Sequence, residues 1–218
     1  MNLSSPNKKT SNDSQAMVSG ILLAAGESRR MGQPKLLLPW GKATILESVV
    51  DNYLRSKIFE LIVVVGASRN KIKEVLNSKP VIVVENLSYK EGMGSSIRQG
   101  VKAASKLAEG YLIGLGDQPF ITTDIINHLI TSFLRERMGI AVCAYQQKRG
   151  HPVIFNRKFR PALCALKGEI GGKGIIEQNP DEVKYIEVGS KAIFADIDTL
   201  EDYQKFQSLE LKTTKNDL

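Results

Sequence analysis

Two cysteines in 218 residues, Cys143 and Cys164, exclude a disulfide framework and leave no CxxC spacing for a structural zinc or redox site. Both are expected as small buried hydrophobes, and reduced thiols fit a cytoplasmic protein. Long apolar runs are also missing. The longest, such as Leu61–Val65 and Val81–Val84, have strand length and charged neighbours, so no membrane contact is expected. The opening residues, MNLSSPNKKTSNDSQ, lack an apolar core, and no secretory signal is expected there. Aromatic residues are few, at 6%, and no basic cluster is interleaved with them. The formal charge of +7, from 30 Lys+Arg against 23 Asp+Glu, is explained as well by a small polyanionic substrate as by nucleic acid, and with no such cluster no nucleic-acid partner is expected. Two common nucleotide loops are missing as well. Gly172-Lys173 is followed by Gly174, which rules out GxxxxGK[ST], and Gly114-Leu115-Gly116 runs into Asp117-Gln118-Pro119, which rules out GxGxxG.

What remains is globular in composition, with 42% hydrophobic and 24% charged residues, and long enough for one α/β domain but not two. The expected division is a disordered tail over 1–16, one folded domain over 17–208 and a polar tail over 209–218. Apolar β-branched runs predict strands over Gly20–Ala24, Leu61–Val65, Val81–Glu85, Tyr111–Leu115 and Ile140–Ala144. Between them, helical spacing predicts helices over Ile45–Arg55, Lys71–Leu76, Ser95–Leu107 and Thr123–Arg135. This alternation specifies an open, mostly parallel α/β sheet with helices on both faces, a Rossmann-like arrangement. After Gln146, short strands around Val153–Phe155, Lys184–Glu187 and Ala192–Ala195 predict a small edge β region covering one mouth of the sheet, and Leu200–Gln207 a final helix.

Open α/β sheets bind ligands beyond the carboxyl ends of their strands, so the chemistry is sought at Ala25, Gly66, Asn86 and Gly116 and the residues that follow each. The first exit, LAAGESRRMGQPK, sets Ala24, Ala25 and Gly26 where small side chains let backbone N–H groups approach a triphosphate, with Arg30 and Lys35 supplying charge. Gly66 at the second exit is assigned to the same nucleotide. Asp117, between Gly116 and Pro119 at a strand end, is positioned to hold Mg²⁺ against substrate phosphates. Asp196 and Asp198 lie on one side of the chain by alternation and are its candidate partners, although Asp198 equally suits a helix cap. Gly92, Ser95 and Ser96 open a helix whose hydroxyls and free N–H groups suit a phosphate or a base edge, with simple capping the other reading of Ser95. Gln118, Arg149, His151 and Lys173 are assigned to a second anionic substrate; His151 suits either a base or a structural hydrogen-bonding group.

Taken together, LLAAGESRRMGQPKLLLP, ENLSYKEGMGSSIRQGV, GLGDQPF, RGHPVIF and DIDTLEDY resemble the molybdenum cofactor cytidylyltransferases of the MobA-like nucleotidyltransferase group, from about Ile21 to Phe206. The resemblance implies transfer of CMP from CTP to the terminal phosphate of molybdenum-loaded molybdopterin, with Mg²⁺ as cofactor and a molybdenum hydroxylase as the recipient of the product. Ala24-Ala25-Gly26 looks like the cytidylyl branch, and Ser96 matches a cytosine-reading serine of isoprenoid-pathway cytidylyltransferases. Gly94 and Leu200 depart from the family pattern, where a serine and a proline are usual. Other acceptors consistent with these motifs are sugar or polyol phosphates, GTP is the alternative donor, and a non-catalytic pterin carrier is the alternative outside enzymes.

Overall fold

The computed structural model describes residues 17–216; the tail expected over 1–16 lies outside them. In chain order the elements are β1 (Val18–Ala24), β2 (Pro39–Trp40), β3 (Ala43–Thr44), α1 (Ile45–Leu54), β4 (Glu60–Val65), α2 (Arg69–Leu76), β5 (Ile82–Glu85), α3 (Met93–Ala103) and β6 (Gly110–Leu115). They continue with α4 (Thr123–Glu136), β7 (Ile140–Tyr145), β8 (Lys148–Asn156), α5 (Arg160–Cys164), α6 (Lys173–Gln178), β9 (Val183–Glu187) and α7 (Leu200–Asn216). Local chemistry sets the helix starts. Thr44 and Glu47 form a reciprocal capping box at α1, and the Thr122 hydroxyl accepts the Ile125 N–H at α4.

Seven strands form one sheet in the order β5-β4-β1-β6-β8-β7-β9, and β2 pairs with β3 as a separate two-stranded ribbon. Every neighbour in the larger sheet is parallel except β8, which runs against both β6 and β7. Apolar side chains divide between the two faces. Val49, Val50, Ile72, Leu76, Leu129 and Phe133 pack α1, α2 and α4 onto one, while Ile97, Val101, Leu163 and Ile176 pack α3, α5 and α6 onto the other. The expected mostly parallel sheet with helices on both faces is the one observed.

Three local expectations change. Val153–Phe155 is expected at the edge, but β8 lies inside the sheet between β6 and β7, and the edge strand on that side is β9. A two-residue turn sends β8 back: Gln146 and Gln147 have φ of 50° and 63°, the left-handed pair that matches strand twist in tight hairpins. Glutamines are unusual there, so the sequence carries no obvious hairpin signal. Ala192–Ala195 is not a strand; Lys191–Phe194 winds into a 3₁₀ turn whose Ala192 N–H is accepted by the Ser190 hydroxyl. The last helix runs on to Asn216, into the stretch expected as a polar tail. Gly114, part of the failed GxGxxG, is explained by packing: a Cβ there would overlap the Tyr53 hydroxyl. Cys143 is buried and its thiol is pushed by burial up to about 12, which makes it an inert core residue, while Cys164 is only half-buried.

Candidate active site at the strand ends

A cleft of about 640 Å³ opens beyond the carboxyl ends of β1 and β6. Its wall brings together Ala24, Ala25, Gly26, Arg30, Lys35, Gly92, Ser96, Asp117, Asp196 and Asp198, and pairs residues as distant in sequence as Arg30 and Asp198, 168 positions apart. The loop after β1 folds back on itself. Ser28 and Gly32 take left-handed conformations (φ 53° and 66°), a 3₁₀ turn spans Arg29–Met31, and the Ser28 hydroxyl accepts the Lys35 N–H at 3.1 Å. Lys35 is thereby aimed across the cleft.

Its ammonium donates to Asp117 Oδ2 at 2.6 Å and to Asp198 Oδ1 at 2.8 Å, while Arg30 donates to Asp198 Oδ2 at 2.9 Å. Burial alone would pull the Lys35 ammonium down, but the two carboxylates outweigh it and hold it above its ordinary value. Lys35 is therefore a permanent cation at neutral pH. The other oxygen, Asp117 Oδ1, is buried with no hydrogen-bond partner among the described residues. A buried carboxylate oxygen left open beside a cation pair is costly unless a ligand completes it.

The Asp196–Asp198 segment is pinned from inside. Ile197 is fully buried with Trp40 and Ile45, and its N–H donates to the Asp117 carbonyl at 3.1 Å, which turns the flanking carboxylates toward the cleft. Thr199, not Asp198, caps α7: its N–H and hydroxyl both donate to Asp202, and its oxygen accepts the Asp202 N–H at 3.1 Å. Asp198 is thus released from capping. Asp196 differs, because Gln118 Nε2 donates to it. Among the described residues no three acidic, imidazole or thiol side chains converge as a metal cage. A cation held by Asp117 and Asp198 would complete its shell with phosphate oxygens and waters, the usual pattern for magnesium at phosphate sites.

Burial raises the Asp196 carboxyl above the usual range, against the Gln118 hydrogen bond that lowers it, with Asp117 and Asp198 raising it further. A carboxyl whose folded-state value is raised stabilises the fold at low pH and loses that contribution as pH rises from the unfolded value through the folded one. Asp196→Asn should remove this loss while keeping an acceptor for Gln118. Urea unfolding from pH 4 to 7 should therefore show the variant gaining stability over wild type as pH rises; parallel curves would assign Asp196 an ordinary titration.

Several expected residues lie elsewhere. Gly66 stands behind the loop, where a Cβ would lie 2.6 Å from the Ala25 carbonyl; its role is close packing rather than nucleotide contact. Ser95 is fully buried and its hydroxyl is spent on the Ser88 and Gly92 carbonyls. Gln118, 2% exposed, serves as the brace for Asp196 and is absent from the cleft wall. Arg149 and Lys173 both face Glu177, at 3.8 and 3.7 Å, and do not line the cleft. His151 also stays outside it; burial holds its imidazole below the ordinary value despite the pull of Asp117, with Arg149 lowering it further, so it is neutral at physiological pH. Sequence reasoning missed Lys90 and Glu169. Glu169 accepts the Met93 N–H at 3.3 Å and, with Lys90, lines the cleft. Asn86, named in the sequence only as the start of a strand exit, is buried, and its amide donates to the hydroxyls of Ser95 and Ser96, nine and ten residues further on.

Known proteins share this arrangement. The MobA-like NTP transferase domain matches residues 20–183. A nicotine blue oxidoreductase of Paenarthrobacter nicotinovorans is 32% identical, covering 84% of this chain and 93% of that protein. A molybdenum cofactor cytidylyltransferase of Escherichia coli K12 is 28% identical over 84% of this chain and 92% of its own. Rv0371c of Mycobacterium tuberculosis H37Rv, solved in complex with manganese, superposes with a TM-score of 0.75 at 25% identity, covering 88% of this chain and 98% of that one. No helix among the described residues is long and apolar enough to cross a membrane.

Proposed function

Because the chain belongs to the MobA-like NTP transferase family and is an enzyme of the nucleotidyltransferase class, we propose that it transfers CMP from CTP to the terminal phosphate of molybdenum-loaded molybdopterin, releasing pyrophosphate. The observation that carries this is the Lys35–Asp117–Asp198 constellation, with Asp117 Oδ1 left open beside a permanent cation. The small residues Ala24, Ala25 and Gly26 admit the triphosphate against the backbone. Arg30 and Lys35 donate to its non-bridging oxygens and neutralise the charge that builds during transfer. A magnesium ion held by Asp117 and Asp198 would supply further charge neutralisation between the phosphates. The acceptor's phosphate oxygen is already anionic, so it attacks the α-phosphorus in line without a general base, and pyrophosphate departs. His151 does not line the cleft, and this step asks no base of it. Catalysis then rests on positioning and electrostatics.

A pyrophosphate-release assay with CTP, GTP and ATP, each against molybdenum-loaded molybdopterin and against sugar phosphates, tests the reading. Pyrophosphate with CTP and the pterin is the expected outcome. Turnover with GTP alone would overturn the base, turnover with a sugar phosphate alone the acceptor, and stoichiometric pterin binding without pyrophosphate would mark a carrier. One relative carries a redox name, and one fold can host unrelated chemistries. Release of pyrophosphate from CTP in the same assay separates the two readings, since a redox reaction consumes no CTP.

A further inference from the structure

The apolar cluster built on Trp40, Ile45 and Ile197 does not line the cleft, yet every charged segment of the site reaches it. Met31 packs there one residue after Arg30, Phe120 three after Asp117, and Ile197 is the residue before Asp198. Leu38, whose N–H donates to the Lys35 carbonyl at 3.1 Å, packs there as well. α7 completes the cluster. Tyr203 and Phe206 lie three apart on its half-buried side, with Glu201, Gln204 and Lys205 exposed on the other. The Tyr203 hydroxyl donates to the Pro39 carbonyl at 2.8 Å and ties the helix to β2. Phe120 stands edge-on between two rings, with centroids 5.4 Å from Trp40 at 85° and 5.3 Å from Phe206 at 74°. Phe206 lies beyond residue 183, where the matched domain ends, and through Phe120 it touches the segment that carries Asp117.

We propose that Phe206 is a positioning residue for Asp198: seated against Phe120, it fastens α7 to the Asp117 segment and so holds Asp198 where it shares the Lys35 ammonium with Asp117. The ion pairs of the site do not suffice for this. The Asp198 side chain is 45% exposed and that of Arg30 74%, and attraction between exposed groups is weakened by water and salt. Asp117 and Asp198, gathered on one ammonium, also repel each other, so an untethered Asp198 would relax toward solvent. Packed rings are not screened by salt, and edge-to-face contacts favour a narrow set of orientations. Ile197 anchors the chain on one side of Asp198 and α7 anchors it on the other. The final helix is thereby a working part of the active site rather than an appendage to it.

The inference rests on the proposed transfer at Lys35, Asp117 and Asp198, and a double-mutant cycle separates positioning from general stability. Phe206→Ala should lower kcat with CTP by about 10-fold, the lower end of the range for losing a partner that orients a metal ligand. In an Asp198→Ala background no carboxylate remains to be positioned, and there Phe206→Ala should cost less than about twofold more. Mn²⁺ titrated into the enzyme without nucleotide, followed by electron paramagnetic resonance, gives a readout free of turnover. Phe206→Ala should weaken that binding by about 10-fold when Asp198 is present, and leave it unchanged when Asp198 is already alanine. Phe206→Leu keeps an apolar body against Phe120 but loses the ring edge, and should cost about threefold, as for one aromatic pair. It carries the same cycle if circular dichroism shows the alanine variant unfolded. Equal losses from the Phe206 variants in both backgrounds, in either readout, overturn the positioning role and leave Phe206 a core residue. A wild type that turns over no CTP overturns the proposed function instead, and the Mn²⁺ cycle then decides this inference by itself.

Discussion

Replacing Lys35 by alanine should lower turnover by about 10²–10³, the range for losing one preorganised donor aimed at developing charge. The side chain is only 14% exposed and is held by two carboxylates, so its ammonium is positioned before substrate arrives and need not be reorganised during transfer. Its removal also leaves Asp117 and Asp198 facing each other without the cation that compensates them. Steady-state pyrophosphate release with saturating CTP is the measurement. Because the carboxylates hold Lys35 above its ordinary value, the wild-type rate should show no loss from Lys35 deprotonation below a pH of about 10. Near-normal turnover in Lys35→Ala would remove the residue from the catalytic machinery and move the phosphate site elsewhere.

Asp117→Asn should raise the divalent cation concentration needed for half-maximal activity by more than about 10²-fold, since loss of groups merely supporting a metal ligand costs about 10–100-fold. Asparagine keeps the shape and can still accept from Lys35, so the change isolates charge at the buried, unpartnered Oδ1. Titrating Mg²⁺ and Mn²⁺ in the same assay reads the effect directly. A wild-type cation dependence in this variant would place the ion away from Asp117. Asp198, at 45% side-chain exposure and already shared between Arg30 and Lys35, should tolerate the corresponding change better.

Much of the architecture was legible because it depends on local pattern. β1, β4, β6 and β7 are apolar β-branched runs buried on both faces, and a continuous apolar strand between helical segments signals a parallel sheet. β8 was misplaced because Val153–Phe155 is equally apolar at an edge or in the interior, and the Gln146-Gln147 turn that returns it lacks the usual asparagine and glycine. Ser95 and Ser96 could not be told apart either. Adjacent and chemically identical, they differ only because Asn86 and the Ser88 and Gly92 carbonyls converge on them from another turn of the chain.

By itself the sequence determined the strand–helix alternation, the phosphate-gripping composition of LAAGESRRMGQPK and the carboxylate at the end of β6, because hydrophobic period and the chemistry of neighbouring residues act over a few positions. Tertiary structure alone decided that Lys35 lies between Asp117 and Asp198, 82 and 163 residues away, that Asp196 is diverted to Gln118, and that Arg149 and Lys173 turn to Glu177 instead of the cleft. Those pairings compete for a few charged groups within hydrogen-bonding reach, and which partner wins depends on distances that exist only once the sheet has brought its strand ends together.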